Sequence, residues 1–246
     1  VKMEVIRHGK YKSAVEPFLA QEMSPENREQ MTVLLNSVWN TIVVDIAKSR
    51  KLSIAQLNAI ANTLGARTPE LALANKLVDK VAYEDEYHDM IRAKLKVDKK
   101  EKYDIVSITD YAKKAASTVE DYSKNDIIAV IYAQGEIAGG EGDVNVIGEG
   151  SIKRSLQEAR EDDDVKAIVL RVNSPGGSAL TSELIWREIE ITKKTKPVVV
   201  SMGNYAASGG YYIAANADRI FAEPNTITGS IGVFGMLPNM NQLGKN

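Results

Sequence analysis

Residues 198–210, VVVSMGNYAASGG, run from three consecutive valines to a serine followed at once by two glycines. The apolar run 198–202 has the length and texture of a strand, and the spacing after it predicts a helix over about 206–215. The same alternation continues on both sides. Apolar runs at 127–132, 167–172 and 219–222 read as strands, and helical periods fall at about 147–160 and 179–194. Strand, helix, strand, helix predicts an α/β domain over 126–246, built on a parallel sheet wrapped by helices.

The upstream part is different in texture. Residues 1–7 alternate as a strand does and lead into the turn His8-Gly9-Lys10. Ser24-Pro25-Glu26 is a helix start, with Ser24 as the cap, Pro25 at the first helical position and acid in the first turn. Met31, Leu34, Leu35, Val38, Trp39, Ile42 and Ile46 then recur every three or four residues, which predicts one buried face on a helix reaching about Arg50. Shorter helices are expected over 53–64, closed by Gly65, and from Thr68-Pro69-Glu70 to about Asn75. A charged amphipathic helix is expected over 83–96. The organisation expected is therefore a mainly helical region over 1–95, a linker over 96–125 and the α/β domain over 126–246. Val1 opens within a strand-like run and Asn246 follows soon after a glycine-rich motif, so the chain reads as a piece of a longer protein.

Composition removes several function classes. The 246 residues carry 31 basic and 33 acidic side chains, a net charge of -2, which gives no electrostatic ground for a nucleic-acid partner. There is no cysteine, so thiol catalysis, disulfides and thiolate zinc sites are excluded. No window approaches the roughly 18 apolar residues of a membrane span. The acidic run Glu161-Asp162-Asp163-Asp164 lacks spaced metal-ligand positions and reads as a solvated turn. Gly139-Gly140-Glu141-Gly142 lacks the Lys-Ser/Thr that would complete a phosphate loop. No metal or organic cofactor is expected.

Three glycine-rich patches fall at the ends of expected strands: residues 173–177 (NSPGG), 207–210 (ASGG) and 228–232 (TGSIG). Ligands of parallel α/β sheets bind at the carboxyl ends of strands, so the patches should converge. Ser208 at a strand end and helix start is placed to attack a carbonyl, with the Gly209 N–H stabilising the oxyanion. Gly176 and Gly177 are the candidates for the second donor. A serine nucleophile needs a base. His88, among Glu84, Glu86 and Asp89, reads as a surface residue, and nothing near His8 marks a triad. A lysine base is the alternative.

Residues 11–18 (YKSAVEPF) with Met23-Ser24-Pro25 resemble the base-lysine segment of the long, tandem-repeat signal peptide peptidases, also called protease IV. Residues 169–177, 198–210 and 228–235 resemble that family's nucleophile half. The resemblance implies a ClpP/crotonase-like fold with a preceding helical connection. It implies that Lys12 is the general base, Ser208 the nucleophile and Ser230 the residue that orients the base. It further implies cleaved signal peptides as substrate, a homo-oligomer, a membrane anchor upstream of Val1, and a catalytic part at the outer face of a bacterial inner membrane. A lysine that accepts a proton near neutrality must lie well below its free pKa, through burial away from carboxylates, so Glu16 is expected to point away from Lys12. Lys12 and Ser208 must meet either within one chain or across an oligomer interface. Two other readings use the same glycines: a crotonase-like enzyme acting on acyl thioesters, and a non-catalytic peptide-binding or assembly module.

Overall fold

In the computed structural model, residues 2–98, 101–116 and 126–241 are described. The chain divides into two compact units, one of residues 1–39 with 124–246 and one of residues 40–123.

The first unit is built on five parallel strands. β2 (Ile127–Gln134), β5 (Val165–Ser174), β6 (Val198–Ala207) and β7 (Arg219–Phe221) lie in that order, and β8 (Ile227–Gly229) pairs with the far end of β6. Two-residue strands β3 (Glu136–Ile137) and β4 (Val146–Ile147) pair with each other. Helices α6 (Glu149–Glu161), α7 (Ala179–Thr192) and α8 (Gly209–Ala214) alternate with the strands. The α/β architecture read from the sequence, a parallel sheet with flanking helices after a helical region, is what the chain adopts.

Period-two burial shows which way the strands face. Ile168, Leu170 and Val172 of β5 and Val198, Val200 and Met202 of β6 are buried, as are Ile152 and Leu156 of α6 and Ile185 and Ile189 of α7. Their neighbours Val169, Arg171 and Val199 are only half-buried. Arg171 is held on this second face by donating to Ser201 Oγ at 2.7 Å and to the Met202 carbonyl at 2.8 Å.

The first and last described segments form a separate ribbon. β1 (Lys2–Arg7) pairs antiparallel with β9 (Phe234–Asn239), with Arg7 opposite Phe234. After β1 the chain passes Lys12, turns through a 3-10 segment at Ser13–Phe18 and enters α1 (Pro25–Arg50). Ser24 caps α1 by accepting from the Asn27 N–H at 3.1 Å.

In the second unit α2 (Ile54–Asn62), α3 (Pro69–Ala74) and α4 (Glu84–Leu95) follow the second half of α1. Ser53 and Gln56 form a capping box on α2, and Thr68 caps α3 by accepting from the Leu71 N–H at 3.3 Å. α5 (Ile108–Ala116) falls within the stretch 96–125, of which residues 99–100 and 117–125 lie outside the described residues.

Two expectations are corrected. The buried face of α1 is not buried. Met31, Leu35 and Ile42 are exposed, Leu34, Val38, Trp39 and Ile46 are half-buried, and Val43 is the residue of α1 that is fully enclosed. A 3.6-residue period shows that a helix has an apolar side, but not that its own fold supplies a surface to meet it. The helix expected from 206 begins instead at Gly209, because β8 extends the pairing of β6 to Ala207. The strands β3, β4 and β8 have only two or three residues and carry no measurable period, and the six-residue β9 contains Gly235 and Pro238, which weaken a strand pattern.

These burial differences make a stability contrast. Leu156→Ala, at a fully enclosed site between α6 and the sheet, is expected to lower the unfolding free energy by about 2–5 kcal/mol. Leu35→Ala, 61% exposed, should stay within about 0.5 kcal/mol. Urea midpoints of the two variants measure both, and equal midpoints would contradict the assignment of the core.

Candidate active site

The carboxyl ends of β5, β6 and β8 bring the three glycine-rich patches together. Ser208 connects β6 to α8 in a conformation with φ 53° and ψ -119°, a region costing a non-glycine residue about 1–3 kcal/mol. The turn is held from outside: the Ser208 N–H donates to the Gly229 carbonyl at 2.8 Å, and Thr228 Oγ1 donates to the Ala206 carbonyl at 2.7 Å. These bonds fix a sharp strand-to-helix elbow with the hydroxyl at its tip.

Lys12 reaches this elbow from the other end of the chain. Its Nζ lies 2.9 Å from Ser208 Oγ, 2.8 Å from the Ser230 carbonyl and 3.1 Å from Ser230 Oγ. The residue is 5% exposed. A bare Cβ at Gly232 would stand 3.8 Å from Lys12 Cβ and Cδ, so the chain after Ser230 runs along the lysine stem. Burial lowers the Lys12 pKa from its ordinary 10.5. Among the described residues no carboxylate opposes this. Glu16 accepts from Ser24 Oγ at 2.5 Å and from Asn27 Nδ2 at 2.9 Å and lies 3.8 Å from the Arg7 guanidinium, bonded towards the start of α1 as expected. The Ser24 hydroxyl first, then Asn27, holds the Glu16 carboxyl below its usual range.

The three contacts suit either charge state: an ammonium could donate to all three oxygens, and a neutral amine to two of them. A carbonyl can only accept, so the Ser230 carbonyl takes one N–H. If Ser230 Oγ takes the second, the lone pair is left facing Ser208 Oγ, whose hydroxyl can donate to it.

The glycines meet on the other side of Ser208. A Cβ at Gly176 would fall 2.7 Å from the Gly209 N and 2.8 Å from Ser208 Cβ, and one at Gly209 would fall 3.3 Å from the Gly177 N. Gly176 (φ 101°) and Gly177 (φ 154°) both have backbones that favour glycine. The Gly176 N–H is committed to Ser174 Oγ at 3.1 Å. Gly209 is the first residue of its helix, so its N–H has no carbonyl one turn back. Of the two candidates for a second donor, Gly177 is therefore the one whose N–H has no acceptor among the described residues.

Lys12, Ser208, Gly209 and Gly177 line one groove of about 730 Å³, whose walls include Tyr212, Val233 and Phe234. His8 lies at its rim, exposed and without a hydrogen bond to Ser208. A cavity of about 780 Å³ between β2 and α6 has neither a lysine nor a histidine in its lining. His88 is in the second unit, beside Tyr103 and Glu84. Sequence reading missed the parts played by main-chain atoms, the Ser230 and Gly229 carbonyls, because no residue type signals them. It also missed Tyr212, whose ring packs against Trp186 and whose hydroxyl donates to Glu183.

Residues 1–98 and 190–246 match the model of peptidase family S49. Protease 4 of Haemophilus influenzae is 38% identical over 97% of this chain and 40% of its own length. Protease 4 of Salmonella typhi is 40% identical over 96% and 39%, and the chloroplastic serine protease SPPA of Arabidopsis thaliana is 35% identical over 95% and 35%. The chain thus spans about two fifths of the length of these curated relatives. A solved ClpP1 mutant from Listeria monocytogenes overlaps 48% of this chain and 55% of its own at a TM-score of 0.32 and 18% identity, too slight an overlap to carry an argument.

A buried lysine leaves a thermodynamic signature whatever its role. With the folded pKa below 10.5, the unfolded chain binds more protons than the folded one between those two values, so stability rises with pH across that window. Below it the cost of burying a charge is fully present. Lys12→Met should therefore melt no lower than the wild type near neutral pH, with any advantage shrinking as pH approaches 10.5. Melting temperatures from pH 7 to 11 test this, and an advantage that grows with pH would contradict the burial argument.

Proposed function

The chain belongs to peptidase family S49, and from that premise we propose that it carries the active centre of a serine peptidase working through a Ser208–Lys12 dyad. The observation that carries the reading is the 2.9 Å contact between Lys12 Nζ and Ser208 Oγ, made by a lysine whose pKa burial lowers. Neither a thioester enzyme of crotonase type nor a binding module has a use for a base aimed at a serine hydroxyl.

The reaction is acyl transfer. Neutral Lys12 takes the Ser208 proton as Oγ bonds to the carbonyl carbon of the scissile peptide, and the oxyanion receives the Gly209 and Gly177 N–H groups. The C–N bond then breaks, and the leaving amine takes the proton back from Lys12. Water attacks the resulting ester, Lys12 accepts the water proton, and Ser208 regains its hydrogen when the C–O bond breaks. Ser230 holds Lys12 in the neutral, lone-pair-inward arrangement. The mechanism calls for no metal or organic cofactor.

The apolar walls of the groove, Val233, Phe234 and Tyr212, suit an extended apolar peptide, and cleaved signal peptides are the proposed substrate. Assembly into a homo-oligomer, attachment to a membrane and action at the outer face of a bacterial inner membrane belong to the same proposal. No helix among the described residues is long and apolar enough to cross a membrane.

Fluorophosphonate labelling and peptide hydrolysis test the dyad together. Ser208 should be labelled in the wild type and not in Ser208→Ala. Lys12→Met should label and hydrolyse about 10²–10⁴-fold more slowly. Because only the neutral amine accepts the proton, kcat/KM should rise with pH to an inflection below 10.5. A wild-type rate retained by Lys12→Met would sink the dyad, and an unlabelled Ser208 with turnover of an acyl thioester would favour the crotonase-type reading.

A further inference from the structure

We propose that Ile137 is the positioning residue of the oxyanion hole, its peptide group aiming the Gly177 N–H and its side chain setting where Gly209 stands. This rests on the reading of Ser208 and Gly209 given above.

The backbone part follows from ladder geometry. Ile137 forms an isolated parallel bridge with Gly177. Its N–H donates to the Gly176 carbonyl at 2.9 Å, and its carbonyl accepts from the Ser178 N–H at 2.8 Å. In a parallel pair, a residue that bonds to both sequence neighbours of its partner leaves the partner's own N–H and C=O pointing to the opposite side. Ile137 thereby turns the Gly177 N–H towards the nucleophile. The approach is close: a Cβ on Gly177 would fall 2.1 Å from the Ile137 carbonyl oxygen.

The side-chain part follows from packing. Ile137 is 1% exposed. Its Cδ1 lies 3.2 Å from the point where a Gly209 Cβ would stand, and the Gly177 N lies 3.3 Å from the same point. Ser182 Oγ, 2.5 Å from it, closes a further side and is itself fixed by donating to the Ser178 carbonyl at 2.8 Å. One methyl group thus backs Gly209 while the same residue's peptide fixes the second donor. Two donors that must meet one oxygen atom depend on such spacing, because displacement of about 1 Å can cost about 100-fold in rate.

The test compares Ile137→Val, which removes that Cδ1, and Ile137→Ala with a control, Ile168→Val. Ile168 is a fully buried isoleucine of the same core, on β5 but near the opposite end of the sheet from Ser208. Readouts are kcat and KM on a chromogenic peptide, inhibition by a peptide boronate that makes a tetrahedral adduct on the serine, fluorophosphonate labelling and melting temperature. Ile137→Val should lose about tenfold in kcat and Ile137→Ala about 100-fold. KM should hold within about twofold, and boronate affinity should fall in step with kcat. Ile168→Val should melt lower by a similar margin yet keep wild-type kcat. If folded Ile137→Val keeps wild-type kcat and boronate affinity, or Ile168→Val loses as much, the role of Ile137 is overturned while the peptidase reading stands. A wild-type chain that neither cleaves peptide nor labels at Ser208 overturns both.

Discussion

The site depends on the antiparallel pairing of β1 with β9. Lys12 and Ser208 are 196 residues apart, and Lys12 lies five residues after Arg7, the last residue of β1, which stands opposite Phe234. β9 follows Ser230 and Gly232 by a few residues, so the same ladder that anchors Lys12 also anchors the residues that hold its amine. Register matters here more than strength. A slip of one residue would turn every side chain of β1 to the other face of the ribbon and move Lys12 relative to the elbow.

Around that ladder, three electrostatic and steric conditions act together. Burial makes the ammonium costly, which lowers the Lys12 pKa. Glu16, four residues along, would reverse the effect if it faced the amine, but Ser24, Asn27 and Arg7 hold it on the α1 side. The acidic residue therefore secures the entry to α1 and leaves the Lys12 amine undisturbed. Opposite, Ser208 is kept at positive φ by the bond from its N–H to Gly229, and the glycines that follow β5 and β6 come within a Cβ's reach of each other. Folding stability is given up locally at both the elbow and the lysine, and the buried core of the sheet supplies what offsets it.

The main-chain donors show how the same fold imposes order on flexible residues. Gly176 and Gly177 are adjacent and chemically alike, yet the Gly176 amide is engaged by Ser174 Oγ, whereas Gly177 forms a parallel bridge with Ile137. α1 shows the converse. Its apolar stripe is plain in the sequence, but Met31, Leu35 and Ile42 remain exposed, because periodicity describes one helix and burial needs two partners.

The sequence by itself determined the alternation of strands and helices from Ile127 to Phe221, the cap at Ser24, the helix starts near Ser53 and Thr68, and Ser208 as a serine at a strand end beside glycines. Those features are local, written in periods and turn residues within a few positions of each other. Lys12 and Ser230 were legible only through family resemblance, since one lysine among many and one serine in a loop carry no local mark of their role. The tertiary structure decided that Lys12 reaches Ser208, that Glu16 faces away, that Gly177 and not Gly176 has the free amide, and that main-chain carbonyls complete the setting. Each of these depends on backbone groups and on contacts between distant residues. Such contacts are fixed by strand register and packing, and neither is encoded in any short stretch of sequence.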